Sequence, residues 1–133
     1  MKYQILNHKD RTISIVLVER LVEPDYTAVV CGFSITMPGD KFNFVKGVNL
    51  AKERAERIIK QNKLMGYQAQ QVAFVCNPFV NLELMDNLMQ TAKTIIKQYV
   101  DDILPQRKTN KKSILYKVSY PFNPNKKSKY VVQ

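Results

Sequence analysis

A stretch near the start of the chain decides the fold: Arg11–Leu21, which reads RTISIVLVERL. Its residues alternate between two sides, as the side chains of a β-strand do. One side carries Ile13, Ile15, Leu17 and Leu21, and the other carries Thr12, Ser14, Val16 and Val18. Because both sides are fairly apolar, we expect helices to cover one face of this strand and another surface, such as a second subunit, to cover the other.

Two further β-rich stretches flank this strand. Lys2–Leu6 precedes it across the polar turn at residues 7–10, and Tyr26–Ile35 follows it after the turn at residues 22–25. Consecutive strands joined by short turns pair in antiparallel fashion. The first third of the chain therefore predicts a three-stranded antiparallel meander.

Two long helices are predicted from apolar residues that recur at helical spacing. The first covers residues 41–65, with Asp40 as its N-cap and Gly66 at its C-terminal end. The second covers Leu82–Leu104, and a proline follows it directly. Each helix has one apolar stripe, so each is expected to pack on the sheet.

Short apolar runs over residues 71–76 and 114–120 predict two more strands. The predicted fold is α+β, an antiparallel meander sheet with two long helices, in the element order βββαβαβ. Residues 1–125 form a single α+β domain in this prediction, and residues 126–133 form a loosely held basic C-terminal tail.

Composition fits one globular domain that folds without a metal. The chain has 133 residues, of which 45% are hydrophobic and 24% charged. No apolar run is long enough to span a membrane, and the first residues do not resemble a secretion signal. We therefore expect no membrane partner, a cytoplasmic location, and reduced, buried thiols at Cys31 and Cys76.

The net charge of +10 is concentrated at the C-terminal end. Residues 105–133 contain eight lysines and arginines and no aspartate or glutamate. This segment is either a solvated lysine-rich terminus or a surface that binds phosphate, in nucleic acid or in a small nucleotide.

The residue types present favour binding over catalysis. The chain has one histidine, His8, in a turn where it is expected to be exposed and inert. There is no phosphate-binding glycine loop and no nucleophile with a second base to orient it. Asp101 and Asp102 could bind a cation, although a solvated helix end explains them better. We expect no enzymatic activity and no cofactor.

Two groups of residues combine features suited to phosphate and to a base. The first is the start of the first helix, Asp40–Gly47, where free N–H groups attract anions and a phenylalanine could stack on a base. Packing of these phenylalanines in the core is the competing interpretation. The second group is the predicted ligand site, with an aromatic ring, amides and cations on segments that could converge. It consists of Asn77, Phe79, Arg107, Lys108, Asn110 and Asn123.

One part of the chain resembles a known group of proteins. It comprises Cys31–Ser34, then Asp40-x-Phe42, then Gly-x-x-Leu-Ala-x-x-Arg-Ala over residues 47–55. This pattern resembles small bacteriophage-encoded proteins, and the size and element order are similar to those of the Thoeris anti-defence sponge family. The resemblance implies a phage protein that sequesters a cyclic ADP-ribose-type or cyclic oligonucleotide signal without cleaving it, as a homo-oligomer. The predicted ligand site rests on chemistry and not on this resemblance.

Three functions therefore remain open at this point. The first is a sponge for a small cyclic nucleotide. The second is a nucleic-acid-binding phage protein that uses the basic C-terminal segment, and its affinity would fall steeply with salt. The third is an inhibitor that binds a host protein through an apolar face of the sheet.

Overall fold

The computed structural model describes residues 1–23, 26–37, 39–61, 70–76, 82–103, 114–119 and 130–132. The chain begins with strands β1 (Lys2–His8), β2 (Arg11–Glu23) and β3 (Tyr26–Ile35), followed by helix α1 (Phe44–Gln61). Strand β4 (Gln70–Cys76) and helix α2 (Leu82–Gln98) come next, and α2 continues as a π-helix (Tyr99–Ile103). Strands β5 (Ile114–Ser119) and β6 (Tyr130–Val132) follow. The α+β class is as predicted, and the predicted element order agrees through β5.

All six strands form one sheet in the order β1-β2-β3-β4-β5-β6. Neighbouring strands are antiparallel except β4 and β5, which are parallel. The prediction of an antiparallel meander is therefore wrong for this pair. The physical reason is the crossover: α2 carries the chain back along the sheet, so β5 runs in the same direction as β4.

The C-terminal segment contributes a strand that the sequence did not predict. Tyr130–Val132 pairs antiparallel with β5, with Val132 opposite Ile114. Tyrosine and valine both fit the pleated surface of a strand, which favours this placement. These three residues belong to the segment 126–133 that is predicted as a loosely held tail, and the rest of that segment lies outside the described residues.

The first face of the sheet packs on α2, as the alternation in β2 predicts. Ile13, Ile15 and Leu17 are fully buried there, together with Cys31 from β3. Burial raises the pKa of the Cys31 thiol far above its usual value. The α2 side of this core confirms the predicted stripe: Leu84, Met85, Leu88, Ala92, Ile95, Ile96 and Tyr99 are all buried.

The second face of β2 packs on α1. Val16 is buried against Val48 and Ala51, with the partly buried Ile5 and Val18 beside them. Both apolar faces of β2 are thus covered by helices of the same chain. A second subunit or an apolar host surface is not needed to explain this alternation, which corrects the reason for expecting one. In the part of the chain that the structure describes, no helix is long and apolar enough to cross a membrane.

Candidate functional site

A cleft of about 440 Å³ lies between the end of β3 and the first turns of α1. One wall comes from residues 34–37, at the end of β3 and just beyond it. The other comes from residues that lead into α1 or form its first turns: Asp40, Lys41, Asn43, Lys46, Gly47 and Leu50. The cleft has the size of ordinary small-molecule sites, which measure roughly 300–1,000 Å³.

A tight turn brings the two walls together. The Asp40 N–H donates to the Met37 carbonyl at 3.1 Å, and Gly39 has a φ of 87°. Glycine adopts this left-handed conformation without a steric penalty. The turn places Asp40 and Lys41 on the lining of the cleft.

Asn43, and not Asp40, is the N-cap of α1. The Lys46 N–H donates to Asn43 Oδ1 at 3.0 Å, and the Gly47 N–H donates to the Asn43 carbonyl at 2.9 Å. The predicted helix start at residue 41 is corrected to Phe44. Both residue types cap helices well, so the sequence alone did not separate them. The N–H groups of Phe44 and Val45 have no acceptor within the helix, because no turn precedes them.

The first turn of α1 is fastened to the sheet at the floor of the cleft. The Ser34 hydroxyl donates to the Gly47 carbonyl at 2.9 Å. A β-carbon at Gly47 would collide with Ser14 Oγ, so only glycine lets the helix lie this close. The geometry of the cleft therefore depends on three small residues that meet under the first turn of α1: Ser14, Ser34 and Gly47.

The lining combines positive charge with an apolar wall. Lys41 and Lys46 line the cleft with exposed side chains, and the helix N-terminus adds positive potential beside them. The acidic lining residue is Asp40. Met37 is 60% exposed and Leu50 36% exposed in the same cleft. This arrangement suits an anion that carries an apolar or aromatic group.

The phenylalanines of the helix start do not line the cleft. Phe44 is 45% exposed, and its ring meets Tyr3 edge to face with the ring centroids 5.6 Å apart. The interpretation that the phenylalanines pack in the core is therefore wrong for Phe44. Phe42 is half-buried. The apolar part of the cleft comes instead from residues that the sequence analysis did not select.

A second polar cluster joins the β1–β2 turn to the π-helix. His8 Nε2 and Lys9 Nζ each lie 2.8 Å from Asp101 Oδ1. The hydrogen bond from Lys9, and then that from His8, holds the pKa of the Asp101 carboxyl below its usual value. The Lys9 pKa is raised by the same contact. His8 is half-buried against Asp101, which corrects the expectation that it is exposed. That it is chemically inert stays a prediction.

The residues that carry the family resemblance make contacts between α1 and the sheet. A β-carbon at Gly32 would lie 2.7 Å from the Ala55 nitrogen and would overlap the Ala51 carbonyl. The Arg54 guanidinium donates to the Phe33 carbonyl at 2.8 Å, and its burial lowers the Arg54 pKa. These contacts give the pattern a structural explanation that holds whatever the chain binds.

The predicted ligand site falls outside the described residues. This applies to all six of its members: Asn77, Phe79, Arg107, Lys108, Asn110 and Asn123. The structure describes instead the other group that the sequence pointed to, the helix start. Ser34, Thr36 and Leu50 were missed because they join this group only through folding. The signal available in the sequence was Leu50, an apolar residue outside the helical spacing of Val48, Ala51 and Ala55.

No group of three or more histidine, cysteine, aspartate or glutamate side chains among the described residues could hold a metal ion. Comparison of the chain with protein-family models, with curated proteins and with solved structures finds no match.

Proposed function

We propose that this chain binds a small anionic ligand of the nucleotide class without transforming it. The observation that carries the proposal is the cleft at the start of α1, whose lining combines Lys41 and Lys46 with the apolar residues Ile35, Met37 and Leu50. The cleft and the family resemblance together support a more specific proposal. The chain is a phage anti-defence protein that sequesters a cyclic nucleotide immune signal in the host cytoplasm.

The phosphate of such a ligand would bind at the N-terminus of α1. The first turn of α1, between the lining residues Asn43 and Lys46, has backbone N–H groups that the helix itself does not use, and such groups attract anions. Lys46 and Lys41 add full charges on the same lining. A charged hydrogen bond to phosphate contributes about 1.5–3 kcal/mol, which corresponds to about a ten- to hundredfold change in affinity.

The base would lie against the apolar wall. Ile35, Met37 and Leu50 line the cleft, and two of them are substantially exposed without a ligand. Covering exposed apolar surface favours binding by about 25 cal/mol per Å². Hydroxyls of Ser34 and Thr36 and the Asp40 carboxylate can pair with the polar edges of a base or ribose.

The proposal assigns binding and no reaction to the cleft. Its titratable lining residues are Asp40, Lys41 and Lys46, a set that can hold an anion electrostatically. Cleavage of a phosphodiester would call for a positioned acid and base, or a metal. Sequestration asks only that the ligand be held and released intact.

Calorimetry with matched lysine variants tests the proposal. A panel of cyclic mononucleotides, cyclic dinucleotides and cyclic ADP-ribose is titrated into wild type, Lys46→Ala and Lys52→Ala. Lys52 lies on the same helix but outside the cleft, where it pairs with Glu56 at 3.8 Å, so its loss removes the same charge elsewhere. We expect one ligand to bind and to be recovered intact, with Lys46→Ala weaker by about tenfold or more. Equal effects of both variants, or no binding by wild type, would contradict the proposal.

A second candidate is nucleic-acid binding through the basic C-terminal segment. The observation in its favour is the charge of +8 over residues 105–133, of the chain's total of +10. Its signature would be an affinity that falls with salt at a slope of about 0.9 per phosphate contacted on duplex DNA. Lys46→Ala and Lys52→Ala should weaken DNA binding of this kind to the same extent.

A further inference from the structure

We propose that two copies of this chain pair through the outer edge of β1, so that the two sheets join across a two-fold axis. The proposal does not depend on the ligand. It rests on three features of β1: backbone groups that no described residue bonds, a strand without proline or bulge, and an exposed aromatic pair beside it.

Strand β1 lies at the end of the strand order, so its outer side has no neighbouring strand among the described residues. The Thr36 N–H donates to the Thr12 carbonyl at 3.0 Å, so even-numbered residues of β2 direct their backbone groups toward β3. Odd-numbered residues of β2 therefore bond to β1, at pairs such as Leu6↔Ile13. The intervening residues of β1, which are Tyr3, Ile5 and Asn7, direct N–H and C=O groups outward.

Nothing in β1 itself blocks a further strand. The strand has seven residues, no proline, and an unbroken register with β2. Edge strands that stay single are commonly protected by proline, a bulge or charged side chains along the edge. The lysine of β1, Lys2, lies at one end of the strand and pairs with Asp86, and His8 at the other end contacts Asp101. The middle of the edge is uncharged.

An aromatic pair flanks this edge. Tyr3 is 51% exposed and meets the ring of Phe44. Tyr3 and Ile5 lie on the α1 side of the sheet, since they alternate with Leu6 on the α2 side. In an antiparallel pairing of two β1 strands, outward-bonding residues pair with outward-bonding residues. The Tyr3 and Ile5 side chains of both copies then form one stripe between the two α1 helices.

Pairing at β1 also keeps the opposite edges of the two sheets apart. Strands β5 and β6, the described part of residues 105–133, carry one cation of that segment, Lys117, and lie four and five strand positions from β1. At about 4.8 Å per strand this is about 19–24 Å, more than twice the Debye length of about 8 Å at physiological salt. Two copies can meet at β1 without bringing these strands close together. In a two-fold interface the same surface of both copies meets, so the outward N–H and C=O groups of one β1 can bond to those of the other.

Light scattering and amide exchange test the proposal on the full chain. We expect the mass of two subunits in the micromolar range, and concentration-dependent protection of the Tyr3, Ile5 and Asn7 amides. The Gln4 and Leu6 amides, already bonded to β2, serve as internal references. Monomer mass throughout, masses that grow beyond two subunits, or protection independent of concentration would overturn the proposal.

Two variants locate the interface. Tyr3→Lys places like charges near each other across the axis, and Asn7→Pro removes an outward N–H without removing one that bonds to β2. Each should weaken dimerisation at least about tenfold. Met37→Lys is the control, since it adds the same charge at another exposed apolar residue, in the cleft. Melting temperatures confirm folding, and a dimer unaffected by both β1 variants would overturn the proposal.

Discussion

Ser14 and Gly47 lie so close together that no side chain fits between them. A β-carbon on Gly47 would collide with Ser14 Oγ, while Ser14 Cβ would lie at an ordinary 3.4 Å. Ser14 is 1% exposed, and its hydroxyl has no hydrogen-bond partner among the described residues. The close approach of α1 to the sheet thus leaves one buried hydroxyl unsatisfied, directly under the first turn that forms the cleft.

Substituting alanine at these two positions should have opposite effects on the stability of the fold. Gly47→Ala should destabilise the fold by about 1–3 kcal/mol through overpacking, although alanine is the better helix former. Ser14→Ala should be neutral or stabilising, because it removes a buried polar group that lacks a partner. In the double variant the space left by Oγ should make Gly47→Ala harmless. Urea unfolding of the four proteins measures this coupling, and additive effects would contradict it.

The N-cap of α1 can be identified by a pair of alanine substitutions. Asn43→Ala should destabilise the protein by about 1 kcal/mol, because the Lys46 N–H loses its acceptor. Asp40→Ala should change stability by less than about 0.5 kcal/mol, as for an exposed residue. The two variants are compared by their denaturant midpoints, provided that the dependence of the unfolding free energy on denaturant is unchanged. A larger loss from Asp40→Ala would restore Asp40 as the cap.

The sequence predicted the sheet core well because local alternation and burial agree there. Ile13 and Ile15 point to one helix and Val16 to the other, so a single strand determines two layers. Features that depend on competing local signals were less predictable, such as the choice between Asp40 and Asn43. The parallel pairing of β4 and β5 depends on the path of the whole crossover, which no local pattern reports.

The cleft was predictable only in part, for a similar reason. Lys41 and Lys46 belong to the helix start that the sequence marks as a possible phosphate site. Met37 and Leu50 come from segments whose proximity depends on the turn at Gly39. Sequence spacing does not report that proximity, so the apolar wall emerges only in the fold.

Asp101 should make stability depend on pH in the acid range. Its pKa is lowered from the ordinary 3.8 by the hydrogen bonds from Lys9 and His8. The ionised form is therefore favoured by folding, and its stabilisation is present above the ordinary value and lost as pH falls through the lowered one. Asp101→Asn should be less stable than wild type near neutral pH, and the difference should disappear in acid. Thermal unfolding across pH checks this, with the neighbouring Asp102→Asn as control. A difference that persists in acid would show that the charge is not responsible.

The Cys31 thiol should be inert in the native protein. It is fully buried in the α2 side of the core, and burial holds its pKa far above neutral. The thiolate is the reactive species, so a thiol reagent should not label Cys31 until the chain unfolds. The experiment uses Cys76→Ser to leave a single thiol, and compares labelling with and without denaturant. Rapid labelling of the folded variant would contradict the packing described for β3.

Arg107 and Lys46 separate the two places where a nucleotide could bind. Arg107 belongs to the site predicted from sequence, just after the second helix, and Lys46 belongs to the cleft. If the cleft holds the ligand, Lys46→Ala should weaken nucleotide binding by about ten- to hundredfold, because a charged hydrogen bond to phosphate is lost. Arg107→Ala should then change nucleotide affinity by less than about twofold, and stability by less than about 0.5 kcal/mol. Calorimetry with the nucleotide and DNA binding across salt are measured on both variants. If Arg107→Ala weakens nucleotide binding more than Lys46→Ala does, the ligand binds at the segment around Arg107 and not in the cleft. If only Arg107→Ala loses DNA binding, the nucleic-acid function of the basic segment is favoured.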